Sequence, residues 1–241
     1  MRVYRSFSWK DTNLRVACAS FDVVTRSVVE ARRRLERYIA RHPAFRTALA
    51  PLPLLADPPE AARRMAVAAE LTGLGPMAAV AGTLAQLGAE AALADGCDEV
   101  IVENGGDIFL VAARPVTIAL HAGAALGSRL AFHIDPQQTP LALCSSSGTM
   151  GHSLSFGRCD LATVASRDAS LADAAATLVG NLVRRERDLT PALERVGAIP
   201  GVDGILAVVD GRIGLWGHLP PLLRNEDATT GSKITRDLHA R

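Results

Sequence analysis

Residues 99–113, EVIVENGGDIFLVAA, hold two apolar, β-branched runs on either side of Asn104-Gly105-Gly106. Asn-Gly and Gly-Gly are turn signals, and each run is short enough for a strand. The stretch reads as a β-hairpin. Working outward, residues 2–8 and 13–20 read as strands, with Leu14, Val16 and Cys18 alternating. Further strands are expected at 116–121, 129–134, 140–145 and 159–166. GILAVVDGRIGLW (204–216) places Asp210-Gly211 between two apolar runs, a second strong hairpin signal.

Helical periodicity fills the gaps. Asp22 is a candidate cap for a helix to about Arg41, with Val24, Val28, Leu35 and Ile39 near one face. Arg32, Arg33, Arg34 and Arg37 decorate it and read as a solvated face. Pro59 suits the first turn of a helix ending near Gly73. An alanine-rich helix is expected from about Pro76 to Ala94, where Gly82 and Gly88 permit close packing. Residues 171–187 read as a helix, with Ser170 and Asp173 as an S-x-x-D capping box. Hairpins interspersed with long helices argue for an α+β fold with a largely antiparallel sheet.

Composition excludes several functions. The 241 residues carry a net charge of +1 and 4% aromatics. Neither a nucleic-acid footprint nor an anionic-membrane surface fits that balance, nor does a stacking platform. Cys18, Cys97, Cys144 and Cys159 are scattered with no CxxC pair, so free thiols in a reducing compartment are expected. The N-terminus has no apolar signal core. The uncharged run Leu71–Ala89 contains four glycines, a proline, a glutamine and two threonines, against a membrane span. The expectation is a cytoplasmic protein: one domain over 1–224, a polar, frayed tail over 225–241, a small-molecule ligand, no nucleic acid and no membrane. A homo-oligomer stays open.

Three small-residue turns and one acidic helix face could carry chemistry. The turns are Gly73-Leu-Gly75-Pro76-Met77-Ala78, Asn104-Gly105-Gly106-Asp107 and, after an apolar run, CSSSGTMGHS (144–153). Glycines let backbone amides approach a ligand, and hydroxyls bind phosphate or metal. Ordinary turns between elements need no ligand and remain the alternative. His152 is the candidate acid or base. Asp173 and Thr177 stand four apart, so they share a helix face. A carboxylate and a hydroxyl at that spacing can hold Mg²⁺, or can simply cap and back-bond the helix.

The order GLGPMAAVAG (73–82), VENGGDIFL (102–110), SSSGTMGHSLSFGRCDLATV (145–164) and LADAAATLVGN (171–181) resembles the ApbE-like superfamily, in particular an uncharacterised, cytoplasmic branch of it. That superfamily includes the Mg²⁺-dependent FAD:protein FMN transferases. The resemblance to the branch covers most of residues 1–217. Likeness to the transferases concentrates between residues 70 and 180. It implies a two-layer, T-fold/ApbE-like architecture with internal pseudo-duplication, and FAD or FMN with Mg²⁺ as cofactors.

By the same resemblance, Asn104, Gly105, Gly106 and Asp107 match a turn near the flavin. Ser146, Ser147 and Gly148, with Thr149 beside them, match a serine–glycine turn at the cleft. Gly75, Pro76, Met77 and Ala78 fall in a loop whose backbone approaches metal and cofactor. Asp173 and Thr177 match the Mg²⁺ ligands. The chain departs from the transferases in lacking the lysine–glycine pair of the loop matching 75–82, and the histidine segment is contracted, leaving His152 as its candidate. The expected function is therefore binding of a flavin or related phosphate-bearing ligand. An active FMN transferase or FAD-cleaving enzyme is the alternative, and loops that only pack are the third reading.

Overall fold

The computed structural model describes residues 2–148 and 157–226. Strands β1 (Arg5–Trp9) and β2 (Thr12–Ala17) lead into helix α1 (Phe21–Arg41). Short α2 (Ala44–Thr47), α3 (Glu60–Thr72) and a 3₁₀ turn at Pro76–Ala79 precede α4 (Val80–Ala94). Then come β3 (Val100–Asn104), β4 (Asp107–Val111), β5 (Val116–Leu120), α5 (Gly123–Leu126), β6 (Leu130–Ile134), β7 (Leu141–Ser146) and β8 (Leu161–Ser166). The chain continues through α6 (Ala169–Leu182), α7 (Leu189–Gly197), β9 (Val202–Val209), β10 (Arg212–Gly217) and β11 (Leu222–Arg224).

Eight strands make one sheet in the order β1-β2-β3-β4-β7-β8-β9-β10, with every neighbouring pair antiparallel. The hairpin at residues 100–111 is in register from Val100↔Val111 to Asn104↔Asp107. Gly105 and Gly106 have φ of +64° and +104°, the left-handed backbone that a two-residue turn of this twist demands. Asp210 and Gly211 turn β9 into β10 in the same way, at φ +50° and +73°.

The sequence of elements repeats. A hairpin, helices and a second hairpin build the first half (β1–β2, α1–α4, β3–β4). The same plan builds the second (β7–β8, α6–α7, β9–β10). This is the pseudo-duplicated, α+β architecture expected from the resemblance.

Strand alternation sorts the core. Leu14, Val16, Val100, Val102, Phe109, Ala142 and Cys144 point to the helices, where α4 and α6 lie against the sheet. Ile101, Leu110, Leu143, Leu206 and Val208 point the other way. There a short sheet, β11-β6-β5, covers them with Phe132 and Ile134. Helix α3 packs on α4 and α6 from outside, around Tyr38, Phe45 and Met65. By length and composition, residues 76–94 could cross a membrane; in this fold α4 packs between α1, α6 and strands β3 and β4.

Three expectations about helix ends are corrected. Asp173 is not the capping-box acid of α6. That helix begins at Ala169, and Asp168 is its N-cap, with Oδ1 accepting from the Ser170 and Leu171 amides at 2.8 and 3.2 Å. The helix stops at Leu182, since Val183 turns extended, rather than running to 187. Asp22 lies in the first turn of α1 and is not its cap; Ser20 is the N-cap residue. Of the arginines on α1, Arg33, Arg34 and Arg37 are exposed as expected, and Arg34 and Arg37 both pair with Glu30; Arg32 is not, its side chain being 16% exposed and paired with Asp11 and Glu36. Asn225 still bonds to the Ser128 and Arg129 carbonyls, and the tail from 227 lies outside the described residues.

Helices α4 and α6 approach most closely at Gly82. A Cβ there would stand 2.3 Å from the Ala169 carbonyl oxygen and 2.9 Å from the Asp173 Cβ. At Gly88 the nearest atom is the Val28 Cγ2 at 2.8 Å, the end of a side chain. Gly82→Ala is therefore expected to destabilise by about 1–3 kcal/mol despite alanine's better helix propensity. Gly88→Ala should cost distinctly less. Urea midpoints of the two variants decide this.

Candidate functional site

The site grows from the N-terminal end of α4. Its first amides have no partner within the helix, and a carboxylate is the natural acceptor for them. Asp173, from the second turn of α6, supplies it: the Gly82 amide donates to Asp173 Oδ2 at 2.9 Å, and the Ala81 amide also donates to this carboxylate. The favour is returned. Gln86 of α4 accepts the Ala169 amide at 2.7 Å, at the start of α6. Thr83 and Ser170 join hydroxyls between them at 2.8 Å. Each central helix thus caps the other, across the two halves of the duplication.

The hairpin delivers the second carboxylate. Asn104 and Asp107 close the β3–β4 pairing on its helix-facing side, and both are buried, at 5% and 6% exposure. The Asn104 side-chain amide donates to the Ala81 carbonyl at 3.1 Å, tying the hairpin to α4. Asp107 Oδ1 accepts the Ser145 amide at 3.0 Å, tying it to β7. Cys144, beside it on the helix face of β7, donates its thiol to the Ala169 carbonyl of α6 at 3.5 Å.

Electrostatics make this a strained pair. Burial pushes the Asp107 carboxyl well above the usual carboxylate range, and the neighbouring Asp173 charge pushes it further. The Ser145 amide only partly opposes that. Burial likewise pushes Asp173 up to about 7, against the Gly82 and Ala81 amides. Asp173 keeps a partly exposed edge, so it is the member nearer solvent. No Lys or Arg guanidinium is a cause of either shift. The dyad therefore holds a proton into the neutral range unless a cation arrives.

The structure brings together part of the expected site. Asp173, Asn104 and Asp107 converge, and Thr177 lies one turn beyond Asp173 on α6, half-buried. Ser146 ends β7 on the same face as Cys144, and its Oγ is buried with no hydrogen-bond partner among the described residues. Ser147 is partnered. The Gly148 amide donates to the Cys159 carbonyl at 2.8 Å. Gly105 and Gly106 form the turn, with open space where a Cβ would be.

The segment Gly75-Pro76-Met77-Ala78 is spent on packing. A Cβ on Gly75 would lie 1.8 Å from the Ala48 carbonyl oxygen, Pro76 is buried, and Met77 and Ala78 pack on the Tyr38 cluster. The amides that reach Asp173 come from Ala81 and Gly82, one turn later. Thr149 and His152 lie outside the described residues.

Sequence reasoning did not foresee the Asp107–Asp173 pairing, nor Cys144 and Gln86 as its neighbours. Spacing carries no signal for carboxylates on different elements. Gly82 was the one visible clue, since glycine in an alanine-rich helix marks a close approach.

A family model described as "AbpE bacteria" matches residues 5–200. The chain belongs to this ApbE-like family. Among curated relatives, a UPF0280 protein of Methanocella arvoryzae is 41% identical over 198 residues, spanning 82% of this chain and 81% of that one. One from Methanosarcina barkeri is 38% identical over 222 residues, spanning 90% and 88%. Among solved structures, the Pseudomonas stutzeri flavinyl transferase ApbE in its apo form aligns at TM-score 0.61 and 13% identity, covering 90% of this chain and 94% of that one. The Vibrio cholerae flavin transferase ApbE aligns at 0.58 and 13%, covering 90% and 96%. At such identity the likeness to the ApbE transferases is one of fold.

The raised Asp173 carboxyl sets a pH test. The folded family member holds a proton that the unfolded chain releases near the ordinary aspartate value of 3.8. Stability from this group is full below that value and is lost as pH rises toward about 7. Asp173→Asn keeps an oxygen acceptor for the Gly82 amide and cannot ionise. Relative to the parent, it should gain about 2–4 kcal/mol between pH 4 and 7.5 without divalent cations. Denaturation midpoints at the two pH values report it; a constant difference would contradict the assignment.

Proposed function

We propose that the carboxylate pair at the α4–α6 crossing binds a flavin nucleotide, FAD or FMN, or a related phosphate-bearing ligand together with Mg²⁺. The Asp107–Asp173 pair, held at the crossing by the Ser145 and Gly82 amides with no basic side chain bonded to either among the described residues, carries this reading. A phosphate brought to two carboxylates is repelled unless a cation stands between them. The donor set is hard oxygen: Asp173 and Asp107 carboxylates and the Thr177 hydroxyl. That chemistry suits Mg²⁺ and does not suit a soft metal. Among the described residues, no group of three or more His, Cys, Asp and Glu offers a rival metal centre.

When bound, Mg²⁺ would neutralise phosphate charge and polarise the phosphoryl oxygens. The chain's own residues prepare for that. The Ala81 and Gly82 amides fix the orientation of Asp173, and Ser145 fixes Asp107. Asn104 locks the hairpin to α4, so the two carboxylates keep their separation. The Ser146 Oγ, without a partner among the described residues, is a donor free for a ligand oxygen. A bound cation would take the place of the pair's proton.

Transfer of an FMN group or cleavage of FAD is the second reading, favoured by the likeness in fold to the two flavin transferases. Against it stands GPMAAVAG at 75–82, which has no lysine. We place the protein in the cytoplasm, in keeping with four free cysteines among the described residues.

Fluorescence titration with FAD and FMN, with Mg²⁺ or EDTA, tests the proposal. Saturable binding should weaken at least ~10-fold, about 1.4 kcal/mol, in EDTA and in Asp173→Ala. Absence of binding up to ~100 µM flavin would remove the flavin reading. Release of AMP or FMN in the same mixtures would favour the transfer or cleavage reading over simple binding.

A further inference from the structure

Two of the four thiols meet far from the carboxylate pair. Cys18 follows β2 and Cys97 precedes β3, and the β2–β3 pairing draws both ends together, with Ala17 opposite Ile101. The Cys18 and Cys97 side chains are neighbours: burial first, then Cys97 beside it, pushes the Cys18 thiol up to about 11. A second contact holds the same two segments: the Ser20 hydroxyl donates to Asp95 Oδ2 at 2.6 Å. Both thiols are free and half-buried, whereas Cys144 and Cys159 are buried. Both pack on the edge of the main core.

We propose that Cys18 and Cys97 form a reversible dithiol–disulfide pair, a redox modification site at the junction of α1 and α4. The oxidant is a small-molecule disulfide. One protein thiolate attacks it, making a mixed disulfide and releasing one small thiol. The second protein thiolate then attacks the mixed disulfide at the protein sulfur, closing the Cys18–Cys97 bond and releasing the second small thiol. Two protein thiols are oxidised and one small disulfide is reduced to two thiols; the two protons end on those thiols. In a reducing compartment the pair rests as thiols, and such pairs are transient sensors rather than permanent staples.

The position gives the bond a consequence. It would fasten the start of α1 to the C-terminal end of α4. The opposite end of that helix presents Ala81 and Gly82 to Asp173. Oxidation braces α4 without touching the carboxylate pair.

The test uses the full chain incubated, folded, with oxidised glutathione. Its mass should fall by two hydrogens with no retained glutathione. Two of the four thiols should disappear, and a digest should yield one peptide pair joined through Cys18 and Cys97. The oxidised form should melt at a higher temperature, and dithiothreitol should restore the original value. Cys97→Ser should instead retain one glutathione on Cys18, a readout that needs only a folded variant. Four thiols still present, a stable glutathione adduct on the parent chain, or a cross-link between any other cysteines would overturn the proposal.

Discussion

Everything at the candidate site depends on two helix ends that share one crossing. Helix α4 receives the Asp173 carboxylate on its leading amides, and α6 receives the Gln86 side chain on its own. Capping groups drawn from the partner helix satisfy donors that would otherwise be buried and unpaired. They also fix the crossing, because Gly82 leaves no room for a Cβ between the backbones. Since α4 belongs to the first half of the fold and α6 to the second, the same contact joins the duplicated halves. The sheet supplies a rigid floor, and the β3–β4 hairpin carries Asp107 to the place where Asp173 already stands.

That arrangement has an electrostatic consequence. Two carboxylates are buried side by side, and the amides around them compensate only in part. A fold built only for stability would gain by replacing one of them with a neutral group. A polar Ser146 hydroxyl, without a partner among the described residues, adds to the mismatch on the same face. Uncompensated polar groups clustered in one place are the mark of a site arranged for something that binds there. The proposed divalent cation with a phosphate-bearing ligand would resolve each mismatch at once.

Much of the fold was legible because it rests on local rules. The hairpins at Gly105-Gly106 and Asp210-Gly211 follow from turn chemistry. Gly73 ends α3 as expected, in the left-handed conformation at φ +73°. Helix α1 followed from its apolar period. What escaped were features set by tertiary contacts. The S-x-x-D pattern at Ser170 pointed to a capping box, but Asp168, two residues earlier, is the N-cap and takes the Ser170 and Leu171 amides, which frees Asp173 for α4. The Asp107 and Asp173 positions each drew notice for separate reasons, but nothing in their spacing pairs them. The expected loop at 75–78 was displaced by one turn for a similar reason: its glycine serves contact with Ala48, and the free amides lie further along.

The most direct measurement of the central claim is anomalous diffraction from crystals of the full chain grown with FAD and Mn²⁺ in place of Mg²⁺. The account requires a metal peak bridging the Asp107 and Asp173 carboxylates, with ligand phosphate density beside it. A metal seated elsewhere, or flavin bound with both carboxylates facing no cation, would contradict it.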